Sequence, residues 1–226
     1  MNITLFDLDH TLLPIDSDHS WGVFTTAIGW TDPVAFARSN DAFYAQYVAG
    51  ALDIHDYVRF ATDALRHKGR VAALAAREQF MRDVVTPALL PPALELVRRH
   101  QQAGDLVAII TATNEFVTRP IADAFGVPEL IAVELECDNN PDGWITGEIR
   151  GVPSVREGKV RRFDTWLAAR GLARSAVWLR FFSDSMNDLP LLEHCDEPVA
   201  TNPDARLRTL AQARGWRILD LFPPIS

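Results

Sequence analysis

Apolar and polar positions divide this chain into two kinds of text. Ile3 to Phe6 is a short apolar run that stops at a pair of acids, Asp7 and Asp9, and it predicts a strand. Pro14 then disfavours helix, and Asp16, Ser17 or Asp18 can cap a new one. From there to about Val85 the apolar spacing is helical. Trp21, Phe24 and Ile28 share a face; so do Phe36, Phe43, Tyr44, Tyr47 and Val48; Tyr57, Val58, Ala61 and Leu65 repeat the pattern. Breaks at Gly29 to Pro33, Gly50 to Asp53 and Lys68-Gly69 predict about four helices, a small bundle inserted after the first strand.

Pro87, Pro91 and Pro92 mark the exit from that block. A helix over Ala93 to Gln102 stops at Gly104, and Leu106 to Thr111 is apolar without alternation, as in a strand buried on both faces. A helix over Glu115 to Phe125 follows, then a strand over Leu130 to Leu135. The turn signal Asn139 to Gly143 between Glu134-Leu135-Glu136 and Trp144-Ile145-Thr146 predicts a hairpin. Next come a helix over Glu157 to Arg170, a strand over Val177 to Phe182 and a short helix over Leu189 to His194. A strand over Pro198 to Ala200, a helix over Ala205 to Ala213 and a strand over Trp216 to Leu219 complete the chain. The alternation predicts an α/β fold: a Rossmann-like open, mainly parallel sheet flanked by helices, with an inserted helical cap. The division is residues 1–15 and 87–226 for the core, and 16–86 for the cap.

With 226 residues the chain suffices for one such core plus an insert. A net charge of −8 argues against a nucleic-acid partner, while leaving small phosphorylated ligands open. Cys137 and Cys195 are the two cysteines, a usage that fits a reducing compartment. No apolar run approaches a membrane span and no signal peptide fits before Asp7, so a cytoplasmic protein with no membrane partner is expected.

Residues two apart in an extended strand face the same way, so Asp7 and Asp9 crowd two negative charges. The pair requires a divalent cation, a shared proton or water. Thr111, Lys159, and Asp184 with Asp188 also fall at strand ends or helix starts, where open α/β sheets bind ligands. Carboxylates, a hydroxyl and an ammonium together suit a hard cation such as Mg²⁺ beside a phosphate.

These residues resemble the haloacid dehalogenase superfamily of phosphohydrolases. Its Asp-x-Asp-x-Thr motif is matched by Asp7-Leu8-Asp9-His10-Thr11, its strand-end Ser or Thr by Thr111, its helix-start Lys by Lys159, and its acidic pair by Asp184 and Asp188. The helical insert after the first motif, Asp142-Gly143 with Thr146-Gly147, and Asn187-Asp188-Leu189-Pro190 resemble the phosphoserine phosphatase subgroup. The resemblance implies Asp7 as nucleophile and Asp9 as acid and base. It implies Mg²⁺ held by Asp7, the Asp9 carbonyl and Asp184, with Asp188 orienting a metal-bound water or Lys159. Thr111 and Lys159 would bind phosphoryl oxygens, and Lys159 would also screen Asp7. Small phosphorylated metabolites are the implied substrates, phosphoserine or histidinol phosphate among them.

Asp16 and Arg59 fall where that subgroup reads an amino acid, and they also read as a helix cap and a surface charge. Ala112 and Asn187 complete the implied substrate-binding set. Ala112-Thr113-Asn114 follows Thr111 where the subgroup has Gly-Gly, a departure that bears on carboxylate binding. Trp21 and Trp144 are candidates to face the substrate, and Arg206, Arg208 and Arg214 read as a solvated helix face. Asp9 argues against the dehalogenase branch. A phosphomutase or phosphotransferase, a receiver-like signalling domain and a phosphate-binding protein without turnover remain as alternatives.

Overall fold

The computed structural model describes residues 1–139 and 143–222. Strand β1 (Asn2–Phe6) leads into helices α1 (Ser17–Ala27), α2 (Pro33–Ala49), α3 (Ile54–Ala61) and α4 (Asp63–Phe80). A π-helical turn (Met81–Val85) and α5 (Thr86–Ala88) carry the chain to α6 (Pro91–Gln102), β2 (Leu106–Asn114) and α7 (Glu115–Ala124). Strands β3 (Glu129–Val133), β4 (Leu135–Cys137) and β5 (Ile145–Ile149) precede α8 (Glu157–Ala168) and β6 (Trp178–Ser183). The chain finishes with α9 (Leu189–His194), β7 (Glu197–Thr201), α10 (Ala205–Arg214) and β8 (Arg217–Leu219).

Six strands form one parallel sheet in the order β3-β2-β1-β6-β7-β8. Strand β1 lies between β2 and β6, with Phe6 opposite Ile109 on one side and Phe182 on the other. Alternation in the strands sorts side chains onto two faces. Phe6, Val107, Ile109, Phe182 and Val199 pack on one face; Ile3, Leu5, Ala108, Ile110, Leu179 and Phe181 pack on the other. Burial on both faces gives the near-continuous apolar strands seen in the sequence. The order reverses at β1 and β6, so the crevice beyond their carboxyl ends is the expected ligand site.

The helices α1 to α4 lie between β1 and β2 in the chain, as the periodicity predicts. Three local departures have physical causes. The break at Lys68-Gly69 is a kink inside α4, because Gly69 adopts φ 76° while helical bonding resumes beyond it. A break absent from the pattern falls at Thr62, whose hydroxyl donates to the Val58 carbonyl (2.6 Å). Pro87 does not end the block: it occupies the first turn of α5, where no N–H is required.

The chain leaves the main sheet after Val133, so the strand expected to reach Leu135 divides into β3 and β4. β4 pairs antiparallel with β5, as the hairpin signal requires. Of that turn, Asn140, Pro141 and Asp142 lie outside the described residues. Cys137 is exposed and Cys195 half-buried, and both are free thiols. Among the described residues no helix is long and apolar enough to cross a membrane.

Candidate active site

The end of β1 is held tightly. The Asp7 N–H donates to the Phe182 carbonyl (2.9 Å), extending the sheet ladder one residue past the strand. The chain then coils back, with the N–H groups of Leu12 and Leu13 both donating to the Leu8 carbonyl (2.9 and 3.0 Å). This turn forces His10 to φ 56°, uncommon for a residue with a side chain. Asn202, at the end of β7, braces it by donating to the His10 and Thr11 carbonyls (2.9 and 3.3 Å).

Around that turn the residues scattered through the sequence converge. Lys159, only 2% exposed on the first turn of α8, donates to Asp7 Oδ1 and Asp188 Oδ2, both at 2.7 Å. Asp188 also accepts from Ser183 Oγ at 2.7 Å, so it orients the ammonium toward Asp7. Thr11 Oγ1 lies 3.1 Å from Asp7 Oδ2 and 3.2 Å from Asp184 Oδ1. Asp9 accepts from the Ser17 N–H through Oδ1 and from Thr113 Oγ1 through Oδ2, both at 2.8 Å. Thr111, nearly sealed, accepts from the Thr113 N–H (3.1 Å), and its carbonyl is tied to Ser154 Oγ (2.6 Å).

Gly158 makes this approach possible. A Cβ there would stand 2.0 Å from the Pro153 carbonyl oxygen, so no larger residue lets the start of α8 deliver Lys159.

The electrostatics follow from burial. Desolvation raises the Asp7 carboxyl to about 6, with Lys159 pulling the other way and Asp188 adding to the rise. Desolvation, then the Asp16 charge, holds Asp9 well above the usual carboxylate range. Asp184 is pushed well up by burial, then by Asp7 and Asp188. Burial works against the Lys159 ammonium, but Asp188 and Asp7 outweigh it and hold it above its ordinary value. One ammonium thus serves a crowd of desolvated carboxylates, and the single Thr11 proton can reach only one of the two acids beside it.

That deficit of positive charge tests the fit of a cation. Asp7, Asp184 and the Asp9 carbonyl are hard oxygen donors, and Mg²⁺ takes one or two carboxylates while keeping several waters. Among the described residues no group of three or more His, Cys, Asp or Glu side chains is arranged to hold a metal ion. The donors fit a small hard divalent cation.

Beyond these groups opens a cavity of about 250 Å³, lined by Asp7, Asp9, Thr111, Ala112, Asp184 and Asn187 on the sheet side. The helical insert supplies Asp16, Asp18, Phe43, Tyr47 and Tyr57 to its wall. Asp16 lines the cavity and also caps α1, accepting from the His19 N–H (2.8 Å). Asn187 lies against the insert, donating to the Tyr47 carbonyl (3.4 Å).

Arg59 is a correction: it does not reach this cavity. Its guanidinium is held bidentately by Glu148 on β5 (2.8 and 3.0 Å) and by Asp56 (2.9 Å), so its charge is spent tying α3 to the hairpin. Trp21 and Trp144 do not face the cavity either. Trp21 packs among Phe24, Trp30, Phe80 and Phe116, and Trp144 donates to the Leu65 carbonyl (3.0 Å). Arg208 and Arg214 form ion pairs with Asp220 and Glu193, whereas exposed Arg206 borders the cavity.

Residues that the sequence did not single out complete the site. Thr113 and Asn202 act through contacts made between distant segments, and Ser183 through a local bond to Asp188 five residues on. Thr11 was visible only as the last letter of a motif.

A parallel sheet with carboxylates at the ends of its central strands, a buried lysine and a covered cavity defines an α/β phosphoryl-transfer enzyme. The family model for haloacid dehalogenase-like hydrolases matches residues 4–193. The chain belongs to that family, and within it is a phosphatase. It is 39% identical to a histidinol-phosphatase of Neisseria meningitidis serogroup C, over 97% of this chain and 98% of that one. Among solved structures, a protein of unknown function from Bordetella pertussis Tohama I superposes with a TM-score of 0.91 at 48% identity, covering 98% and 99% of the two chains. A substrate-bound phosphoserine phosphatase shares the fold with a TM-score of 0.66 at 14% identity, over 96% of this chain and 91% of that one.

Proposed function

We propose that the protein is a Mg²⁺-dependent phosphomonoesterase acting on a small phosphorylated metabolite, with histidinol phosphate as the favoured ester. The observation that carries the reading is the buried Asp7–Lys159–Asp188 array beside Asp184. Asp7, the Asp9 carbonyl and Asp184 would hold the ion, which supplies charge neutralisation at the phosphoryl group.

Asp7 attacks phosphorus as the ester P–O bond breaks, leaving an aspartyl-phosphate. Asp9 gives its proton to the departing alkoxide, then takes one from the water that attacks the same phosphorus. The Asp7–phosphorus bond breaks and inorganic phosphate leaves. The raised Asp9 carboxyl suits it to begin the cycle protonated. Thr111 and Lys159 bind non-bridging oxygens, and positioning with charge neutralisation supplies most of the acceleration.

Residues 16–86 act in this reading as a cap over a core of 1–15 and 87–226. The cap excludes bulk water and selects the alcohol. A covered cavity of this size favours a metabolite over a phosphoprotein, and two unpaired cysteines favour a cytoplasmic setting. The 39% identity with the Neisseria histidinol-phosphatase along nearly all of both chains supports histidinol phosphate over phosphoserine.

The test is inorganic phosphate release from histidinol phosphate, phosphoserine, sugar phosphates and nucleotides, with Mg²⁺ or chelator, and with Asp7→Asn as control. Release that needs the metal and disappears in the control is expected. Stoichiometric transfer to a second alcohol without free phosphate would replace hydrolysis by a mutase or transferase reaction.

A further inference from the structure

Tyr47 and Tyr57, both from the insert, line the catalytic cavity and face different groups. Tyr57, on α3, hydrogen-bonds Asp18, and the charges that act on it are those of Asp18, Asp16 and Asp9. Tyr47, in the last turn of α2, lies among the groups of the phosphoryl centre: the charges that act on its phenol are those of Asp188, Asp7 and Lys159. Asn187 meets Tyr47 at two points, at the phenol and, through Nδ2, at the main-chain carbonyl (3.4 Å). Burial, and then Asp188, push the phenol up, so it persists as an O–H donor. Nothing in the mechanism above uses that donor.

The core grips the helix that carries Tyr47 at a further point. α2 ends at Gly50, which is left-handed (φ 72°), and a Cβ there would collide with the Arg156 guanidinium. Arg156 stands at the start of α8, three residues before Lys159, and its own backbone is strained, with φ 52° and ψ −122° on a residue that has a side chain. It is half-buried, and no carboxylate among the described residues pairs with it. The last turn of α2 contains no basic residue, so Arg156 brings from the core the cation that the carbonyl end of that helix lacks. The strain and the unpaired charge both converge on one contact, between the helix that presents Lys159 and the helix that presents Tyr47.

We infer that Tyr47 donates its phenolic hydrogen bond to the transferring phosphoryl group, and that Asn187 and Arg156 are positioning residues that register α2 over the Asp7–Lys159 pair. This rests on the phosphomonoesterase reading above and adds a donor that the insert contributes to the chemical step itself. Thr111 and Lys159 approach the phosphoryl group from the core, and Tyr47 approaches it from the insert. The donor set is therefore complete only while α2 lies against Asn187 and Arg156. A preorganised donor in a site closed to water opposes the charge on the non-bridging oxygens, and it does so whichever alcohol leaves.

The experiment uses the full chain with Mg²⁺ and measures kcat, KM and inhibition by orthovanadate, a mimic of five-coordinate phosphorus, on histidinol phosphate, O-phosphoethanolamine and p-nitrophenyl phosphate. Tyr47→Phe is expected to lower kcat about 30-fold on every ester that wild type cleaves, with KM within about threefold, and to weaken orthovanadate by a similar factor. Arg156→Ala should lower kcat in the same pattern by about tenfold, and Arg156→Lys should recover part of it. Combined with Tyr47→Phe, Arg156→Ala should add almost nothing, because it acts through the phenol that is already gone. An unchanged kcat in Tyr47→Phe, or a loss confined to KM of one ester, would overturn the assignment of Tyr47. Losses that multiply in the double variant would remove Arg156 from its positioning role. If Tyr47→Phe does not fold, Arg156→Ala decides alone: kcat and orthovanadate affinity must fall together, and unchanged values overturn the proposal. Absence of phosphate release from every ester by wild type would instead overturn the phosphomonoesterase reading.

Discussion

Replacing Lys159 by Met removes the single ammonium that screens Asp7 and Asp188 while keeping a long apolar side chain. In the native protein that ammonium lies 2.7 Å from each carboxylate, within a pocket where it is 2% exposed. At an effective dielectric of 20, a contact at this distance is worth about 6 kcal/mol before desolvation is subtracted. Most of that gross figure is offset, because burying the ammonium is itself costly.

The net effect is read through Asp7. Its carboxyl already stands at about 6, above the unfolded value of 3.8, so the folded state binds a proton more readily than the unfolded chain. Stability therefore falls as pH rises between those two values. Without Lys159 the folded carboxyl rises further and the falling limb extends above pH 6. Breaking a buried pair by removing one partner costs about 3 kcal/mol or more, roughly 6–10 °C in melting temperature for a chain of this size.

The assay is thermal unfolding of both proteins with chelator from pH 5 to pH 8.5. At pH 5 the Asp7 carboxyl is largely protonated in both, so chiefly the lost Asp188 contact remains and the deficit should be smallest there. The deficit of Lys159→Met should open above pH 6. A deficit that does not grow between pH 5 and pH 8, or one larger at pH 5, would refute this account of the array. Activity with Mg²⁺ should fall about 1,000-fold at every pH, since a preorganised charge at the phosphoryl group is gone.

Asp9→Asn should capture phosphate on Asp7 from an activated ester without releasing it, and mass spectrometry should find the adduct; unchanged turnover would remove Asp9 from its role. Gly158→Ala places a methyl 2.0 Å from the Pro153 carbonyl, so it should lower the melting temperature and cut kcat at least tenfold by shifting Lys159; wild-type values in both would show that α8 tolerates the clash. Arg59→Ala should leave kcat/KM within about twofold and barely move the melting temperature, because an exposed pair with Glu148 contributes little; a large rise in KM would return Arg59 to the substrate.

The sequence alone determined much of this protein. Apolar runs bounded by glycine and proline located the strands, because buried parallel strands exclude polar residues over a contiguous stretch. Helical spacing located the insert for the same reason. Asp7, Asp9, Thr111, Lys159, Asp184 and Asp188 were legible because each occupies a characteristic place relative to a strand end or helix start, and the topology brings those places together. The structure puts Asp7, Lys159 and Asp188 in direct contact across more than 150 residues of chain.

The tertiary structure alone decided the rest. Arg59 looked like a substrate cation until Glu148, 89 residues away, was found holding it. Thr113 became an Asp9 partner, and Asn202 a brace for the His10 turn, only through contacts across the sheet. Asp18 passed for one of three possible caps; its distinction is the company of Tyr57 and Asn114, which no spacing along the chain encodes. Local pattern reports what a segment buries, whereas the selectivity of a closed cavity depends on which distant side chains share its wall. Solvent exclusion and charge pairing there are set by packing in three dimensions.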